Sequence, residues 1–415
     1  MLFMIKLSYH TKSTKGNSMK VKTILHNLIE DVTPNMHKIR RKSLNAMVTS
    51  LISGAALQVT SLGRNIKSNT SEKHQIKRST RLCSNPHLHQ DIVTIYANLS
   101  LRLIGNKQHP IILVDWSDLD PRQHHFLLRA STAVDGRSLT LLEEVHPLSS
   151  KEKPKTHRLF MEKLKAILPS SCCPIIVTDA GFRVPWFTLI ESLNWDYVGR
   201  VRNRTFCMNA HDNDWHPVKD LYKKATTTAK GLGTYQMARR NPISCQMVIY
   251  KNTMKGRKDL VAKGEKARRS GKSRNSASRN KEPWLLATSL LSKQQHFAKK
   301  VVKIYHCRMQ IEESFRDVKT GLNFNLSNTR KLNRLKVLLL IAMLSQFVLF
   351  LLGMAVKLLD KHRRYQANSI KHKNVLSYQF LGLRAFKDKQ LILDKKDWII
   401  AYVRIQELIT APYEI

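Results

Sequence analysis

Ile111–Leu119 reads IILVDWSDL, an apolar run that ends in Asp115. Pro174–Phe182 reads PIIVTDAGF, a second apolar run, ending in Asp179. Short continuous apolar runs of this kind suit strands buried on both faces. Between them lie HHFLLRASTAV and RSLTLLEEV, separated by Asp135-Gly136, a strong hairpin signal, and then the helical pattern HRLFMEKLKAIL. WFTLIESLNW, with helical spacing, and the strand-like DYVGRVRN follow the second run. The order strand, strand, strand, helix, strand, helix, strand predicts an α/β fold with a mixed sheet.

Strand ends at the edge of an α/β sheet are where ligands bind. An aspartate there is usually a turn former or a helix cap, and one alone would be read so. Here two such strands share the feature, and a third carboxylate, Glu312, lies downstream. Three carboxylates suit a hard divalent cation such as magnesium. Paired ions of that kind serve phosphodiester chemistry.

Glu312 lies in Ala298–Thr320, AKKVVKIYHCRMQIEESFRDVKT, which has no Gly or Pro and repeats its apolar residues at helical spacing. The spacing predicts one continuous helix. With Tyr305 at zero and roughly 100° per residue, Arg308, Glu312 and Lys319 fall near 300°, 340° and 320°. Ile304, Ile311, Phe315 and Val318 form the apolar stripe beside them. The edge of a packed face would therefore carry a carboxylate, two cations and a phenol, a set suited to a metal and a polyanion. The plain alternative is a solvated basic helix with i,i+4 ion pairs.

The charge of the whole chain bears on that choice. Of 415 residues, 71 are Lys or Arg and 30 are Asp or Glu, a formal charge of +41. An excess that large implies a polyanionic partner, foremost nucleic acid, with an anionic membrane surface as the rival. The six cysteines form no C-x-x-C pair and no zinc-ligand spacing, a pattern that suits a reducing, cytosolic setting.

The remaining segments fit around this core. MLFMIKLSYH is too short and too interrupted for a signal peptide, so residues 1–18 read as an unstructured basic extension, with Met19 a second candidate start. Residues 19–106 read as a helical DNA-binding domain. Within it, LQVTSLGRNI and SEKHQIKRSTRLCSN resemble a helix-turn-helix whose second helix offers Lys73, Lys77 and Arg78 to DNA. Residues 107–203 form the first part of the core and 204–290 a basic insertion with strand-like pieces. KGRKDLVAKGEKARRSGKSRNSASRNK, inside that insertion, reads as a mobile basic loop. Residues 291–356 return to the core, and 357–415 read as helical. VLLLIAMLSQFVLFLLGMAV, Val337–Val356, is as long as a bilayer span, but Ser345 and Gln346 interrupt it, so a buried core helix is expected.

Tyr305, Arg308, Glu312 and Lys319, at the spacing Tyr, two residues, Arg, three residues, Glu, six residues, Lys, together with LVDWSDL, TDAGFRVPW, NPISCQ, KGRK, EPWLLAT and RMQIEE, resemble DDE transposases of the insertion-sequence-four type. The likeness runs from about residue 20 to near the C-terminus. It implies an RNase H-like catalytic core interrupted by a mostly β insertion. It implies Asp115, Asp179 and Glu312 as the catalytic, metal-binding triad, holding two magnesium or manganese ions, with Asp118 the rival for the first position. It implies that Trp284, of the EPWLLAT phrase, stacks on a flipped base. Tyr305, Arg308 and Lys319 would hold phosphates, and Arg200 and Arg202 would touch DNA backbone. The expected partner is double-stranded DNA, bound by a homodimer in a synaptic complex, with no membrane and no small-molecule substrate. The rival functions are a regulator that kept the fold without the activity, and a basic membrane protein.

Overall fold

The structure, a computed structural model, describes residues 21–120, 122–202, 205–210, 214–252, 282–291, 296–367, 369 and 375–410. The chain divides into two compact units. One comprises Met1–Gln108, Asp115–Cys172 and Gln310–Glu414, the other His109–Val114 and Cys173–Met309. The expected basic extension and the basic loop of the insertion lie outside the described residues.

The first unit opens with helices α1 (Val21–Val32), α2 (Lys38–Ile52), α3 (Val59–Arg64), α4 (Glu72–Cys83) and α5 (Pro86–Ile104). The last starts as its sequence dictates, with Asn85 accepting from the Leu88 N–H and Pro86 in the first turn. Helices α3 and α4 pack closely, because a Cβ on Gly63 would meet the Ile76 Cα at 2.6 Å. Strand β1 (Ile111–Asp118) enters this unit at Asp115, and β2 (His125–Ala133) and β3 (Ser138–Pro147) form the expected hairpin, followed by α6 (Pro154–Ile167). The hairpin turns at Asp135-Gly136, where Gly136 has φ +69°.

Helix α10 (Leu332–Leu358) is the centre of the first unit and packs against α2, α5, α11 (Tyr378–Lys387) and α12 (Lys395–Thr410). Long and apolar enough to cross a membrane, it is 94% buried over its most apolar window, as a core helix should be. The two polar residues that interrupt its sequence are satisfied internally. Ser345 Oγ donates to the Ile341 carbonyl at 2.8 Å, and Gln346 Nε2 donates to the Ser314 carbonyl at 3.3 Å. Glycines allow α10 and α11 to touch backbone to backbone: a Cβ on Gly353 would strike the Tyr378 carbonyl, and one on Gly382 the Leu349 carbonyl.

In the second unit the first half of β1 pairs in parallel with β4 (Ile175–Thr178), and β4 in parallel with β5 (Asp196–Val201). The sheet continues antiparallel through β10 (Trp284–Thr288), β9 (Ile243–Tyr250), β8 (Lys230–Met237), β6 (Phe206–Asn209) and β7 (His216–Pro217). A mixed parallel core followed by an antiparallel β insertion is the arrangement expected. Helix α7 (Val184–Ser192) lies on β5, where Phe187 stacks on Tyr197 at 4.5 Å and covers Gly199. A side chain on Gly199 would occupy the space of that ring.

The helix expected over Ala298–Thr320 is not continuous. Helix α8 (Phe297–His306) stops, Cys307 and Arg308 form a turn, and α9 (Met309–Arg316) begins anew. Asp317–Gly321 then winds as a π turn. The single-helix projection of Tyr305, Arg308, Glu312 and Lys319 therefore does not hold. The physical reason is the packing on each side of the break: α8 belongs to the second unit and all of α9 after Met309 to the first.

Candidate catalytic and nucleic-acid site

In the first unit, Asp115 lies on β1 with Oδ1 accepting from the Trp116 N–H at 2.8 Å. Asp118 is engaged differently. It accepts from Gln123 Nε2 at 3.0 Å, pairs with Lys151 at 3.7 Å and lies in the field of Lys319. Alternation along the strand puts Asp118 on the opposite face from Asp115 and on the same face as Trp116. Lys319 is half-buried; burial lowers its pKa, Asp118 acts to raise it and Arg129 to lower it.

Trp116 anchors β1 to α6. Its Nε1 donates to His157 Nε2 at 3.1 Å, which requires that nitrogen to be unprotonated. Burial, and after it the charge of His146, lowers the His157 pKa from 6.5 to about 4. Because the unfolded imidazole binds its proton first as pH falls, stability declines from about pH 6.5 down to about pH 4. The expected contribution is on the order of 3 kcal/mol. Denaturant titrations across that window, with His157→Gln as the comparison, should show the slope flatten in the variant. An equal slope in both would assign it to other groups.

Glu312 is solvent-exposed on α9 because the opposite face of that helix is latched to the β2–β3 turn. Gln310 Oε1 accepts from the Val134 N–H at 2.9 Å and Ser314 Oγ from the Ser138 N–H at 2.9 Å. Just past the helix, Asp317 takes Arg137 Nε at 2.6 Å. Residues 310, 314 and 317 lie on one face at helical spacing, so docking that face turns Glu312 outward. None of these latch residues was singled out in the sequence. The helical spacing was visible, but the turn that receives it was not.

In the second unit, Asp179 follows β4, and its Oδ1 accepts from the Gly181 N–H at 2.8 Å. Tyr305 is only 3% exposed. Burial raises its pKa, and the charges of Arg308, Arg200, Asp179 and Arg202 all reach it. The phenol therefore keeps its proton at neutral pH, beside one carboxylate and three cations. Arg308 owes its place to the helix break, being held in the turn by its N–H to the Tyr305 carbonyl at 3.0 Å. Arg200 lies on β5 and Arg202 just past its end, two residues on. Arg200 Nη2 donates to the carbonyls of Glu282 and Pro283 at 3.3 Å, and Arg202 pairs with Glu282 at 3.2 Å. Burial lowers the Arg200 pKa, and the Arg202 charge adds to the effect.

Trp284 opens β10 half-buried, with Tyr305 edge-on at 4.9 Å, His306 at 4.7 Å and Tyr250 at 5.8 Å. Tyr250 is its cross-strand partner on β9, a pairing that only the register reveals. On α4, Lys73 and Lys77 are exposed one turn apart. Arg78 is not among the outward cations: it donates to Ser43 Oγ and the Lys42 carbonyl, both at 3.0 Å, and ties α4 to α2.

The carboxylate donors are of the right kind for magnesium or manganese, each oxygen-only, with Asp115 and Asp179 oriented by a peptide N–H. Among the described residues, no three His, Cys, Asp or Glu side chains converge as a metal centre.

The family model described as Transposase DDE domain matches residues 106–348. That span contains both aspartate strands, the β insertion, α8, α9 and the Tyr-Arg-Glu-Lys spacing. No curated protein matches the chain.

Proposed function

The chain belongs to the DDE transposase family, and from that premise we propose that it is a cut-and-paste enzyme acting on the ends of its own element. The observation that carries the reading is the pairing of β1 with β4. The parallel register runs from Ile111 with Ile175 to Leu113 with Val177, and two residues further along the chain come Asp115 on β1 and Asp179 just past the end of β4. Asp115, Asp179 and Glu312 would hold two magnesium or manganese ions. When bound, such ions lower the pKa of water and stabilise the leaving oxygen of a phosphodiester.

The chain's own residues do the positioning. Arg308, with Arg200 and Arg202 behind it, holds phosphates of the transposon end, and Arg308 suits a bidentate grip. Tyr305, buried and protonated, positions that group from inside. Lys319 holds a phosphate from the first unit. Hydrolysis of one strand leaves a 3′-hydroxyl. Transesterification by that hydroxyl onto the opposite strand forms a hairpin on the transposon end and releases flanking DNA. Hairpin opening and strand transfer into target DNA follow. Helix α4, through Lys73 and Lys77, contributes to duplex binding by the 19–106 segment. We place the chain in the insertion-sequence-four type, with phrases similar to the transposase of insertion sequence ten. It would act on double-stranded DNA in the cytoplasm, as a homodimer in a synaptic complex, with no membrane and no small-molecule substrate.

The test is to incubate purified protein with its element's ends and magnesium and resolve nicked and hairpin products. Binding without either product would favour a regulator that kept the fold. Trp284 adds a second readout. Stacking an extruded base on an aromatic face contributes about 1–3 kcal/mol, so Trp284→Ala should reduce hairpins roughly tenfold while the first nick falls far less. An abasic site at the extruded position should restore hairpins. Equal loss of both products would mark Trp284 as a core aromatic.

A further inference from the structure

A groove of about 990 Å³ runs along the second unit between α8 and strands β8 and β9. Ligand pockets commonly span roughly 300–1,000 Å³, so it has room for more than one nucleotide-sized group. One wall is the solvent-facing side of α8, where Lys299, Lys303 and His306 are all exposed and lie about one turn apart. The other wall includes Thr227 and Thr228, and its floor is glycine backbone. Gly231 and Gly233 lie on β8 at a register shift, and a Cβ on either would meet nothing within 4 Å. No acidic residue is among the described lining residues.

The groove also has an aromatic end. Tyr250 and His306 line it, and both rings contact Trp284, which contacts Tyr305. A row of rings therefore leads from the Tyr305, Asp179 and Arg308 cluster into a cationic channel. Cations that track a backbone, aromatic faces and open glycine backbone are the components of single-strand binding. A duplex would instead be met by a broad basic face.

We infer that this groove binds an unpaired DNA strand, with its phosphates along Lys299 and Lys303 and its bases toward Tyr250 and His306. The inference rests on the reading that the chain acts on DNA, and it adds a place for the strand that must leave the duplex when an end is cut.

The experiment uses the full chain in EDTA, so that no cleavage intervenes. A fluorescent oligothymidylate and a blunt duplex of random sequence are the probes, read by anisotropy. Gly231 has an ordinary φ and open space at its Cβ, so Gly231→Glu adds a charge without strain, and Gly231→Gln controls for size. Gly231→Glu and the pair Lys299→Ala/Lys303→Ala should each weaken oligothymidylate binding roughly tenfold, with Gly231→Gln close to wild type and the duplex affected less than about twofold. Each lysine lost should flatten the salt dependence on the single strand by about 0.7 in log–log slope. Tyr250→Leu should weaken the single strand in the same direction, through lost stacking. Unchanged oligothymidylate binding in these variants, or equal loss on both probes, would overturn the groove. End cleavage with magnesium is scored separately. Its absence with the expected oligothymidylate results would overturn the transposition reading alone.

Discussion

Asp115→Ala, Asp179→Ala and Glu312→Ala are each expected to reduce end cleavage by about 10³-fold or more while leaving end binding nearly intact. Residues that act as one catalytic unit fail together, so any single loss should resemble the loss of all three. On the proposed reading the rate would fall because a hard cation would lose one of its oxygen ligands. Binding would survive because cations on other elements would still meet the phosphates and release counterions from the duplex. Gel-resolved cleavage with magnesium and manganese, beside a binding titration in EDTA, separates the two effects. Asp118→Ala is the control. Asp118 interacts with Gln123, Lys151 and Lys319, so its loss should shift a local ion-pair network and leave measurable cleavage. A cleaving Asp115→Ala beside an inactive Asp118→Ala would exchange their roles.

How much of this was legible before the structure varies with the physical signal. The β1, β4 and β5 strands were legible because a buried parallel strand must be apolar on both faces, and few other elements produce such short runs. Helix α10 was legible as core because its two polar interruptions, Ser345 and Gln346, are easily satisfied inside a protein. The break at Cys307 was not. Both sides of it carry apolar residues at helical spacing, and no Gly or Pro marks it. What ends α8 is that the chain leaves one packed unit for another, which is tertiary information. The site residues were recognisable as residue types at a spacing. Their surroundings were not: the docked face of α9 depends on the β2–β3 turn, and the aromatic neighbours of Trp284 depend on the β9–β10 register. Arg78 shows the same limit from the other side. On a helix wheel it is one more cation for DNA, but its hydrogen bonds to Lys42 and Ser43 give it a task inside the protein.

The largest expected effect on stability comes from a pair that the alternation of β2 and β3 conceals. Arg129 and Glu143 face each other across the hairpin, with each side chain about 1% exposed and Nη2 within 2.6 Å of Oε2. Arg129 Nε donates to the same carboxylate at 2.8 Å, and the Tyr96 hydroxyl donates to Oε1 at 2.7 Å. The guanidinium also lies over the Phe315 ring at 4.7 Å, directly beneath the helix that carries Glu312. Arg129→Met leaves a buried carboxylate with one neutral donor, and breaking a buried pair from one side costs about 3–5 kcal/mol. Arg129→Met/Glu143→Leu removes both charges and should recover much of that loss, because two charges taken out of water are costly even when paired. Adding Tyr96→Phe removes the hydroxyl left without its acceptor and should recover a further ~1 kcal/mol. Urea titrations of the four proteins decide the matter. A double variant as unstable as Arg129→Met alone would mean that the packing of Arg129 against Phe315, rather than its charge, is what the hairpin requires.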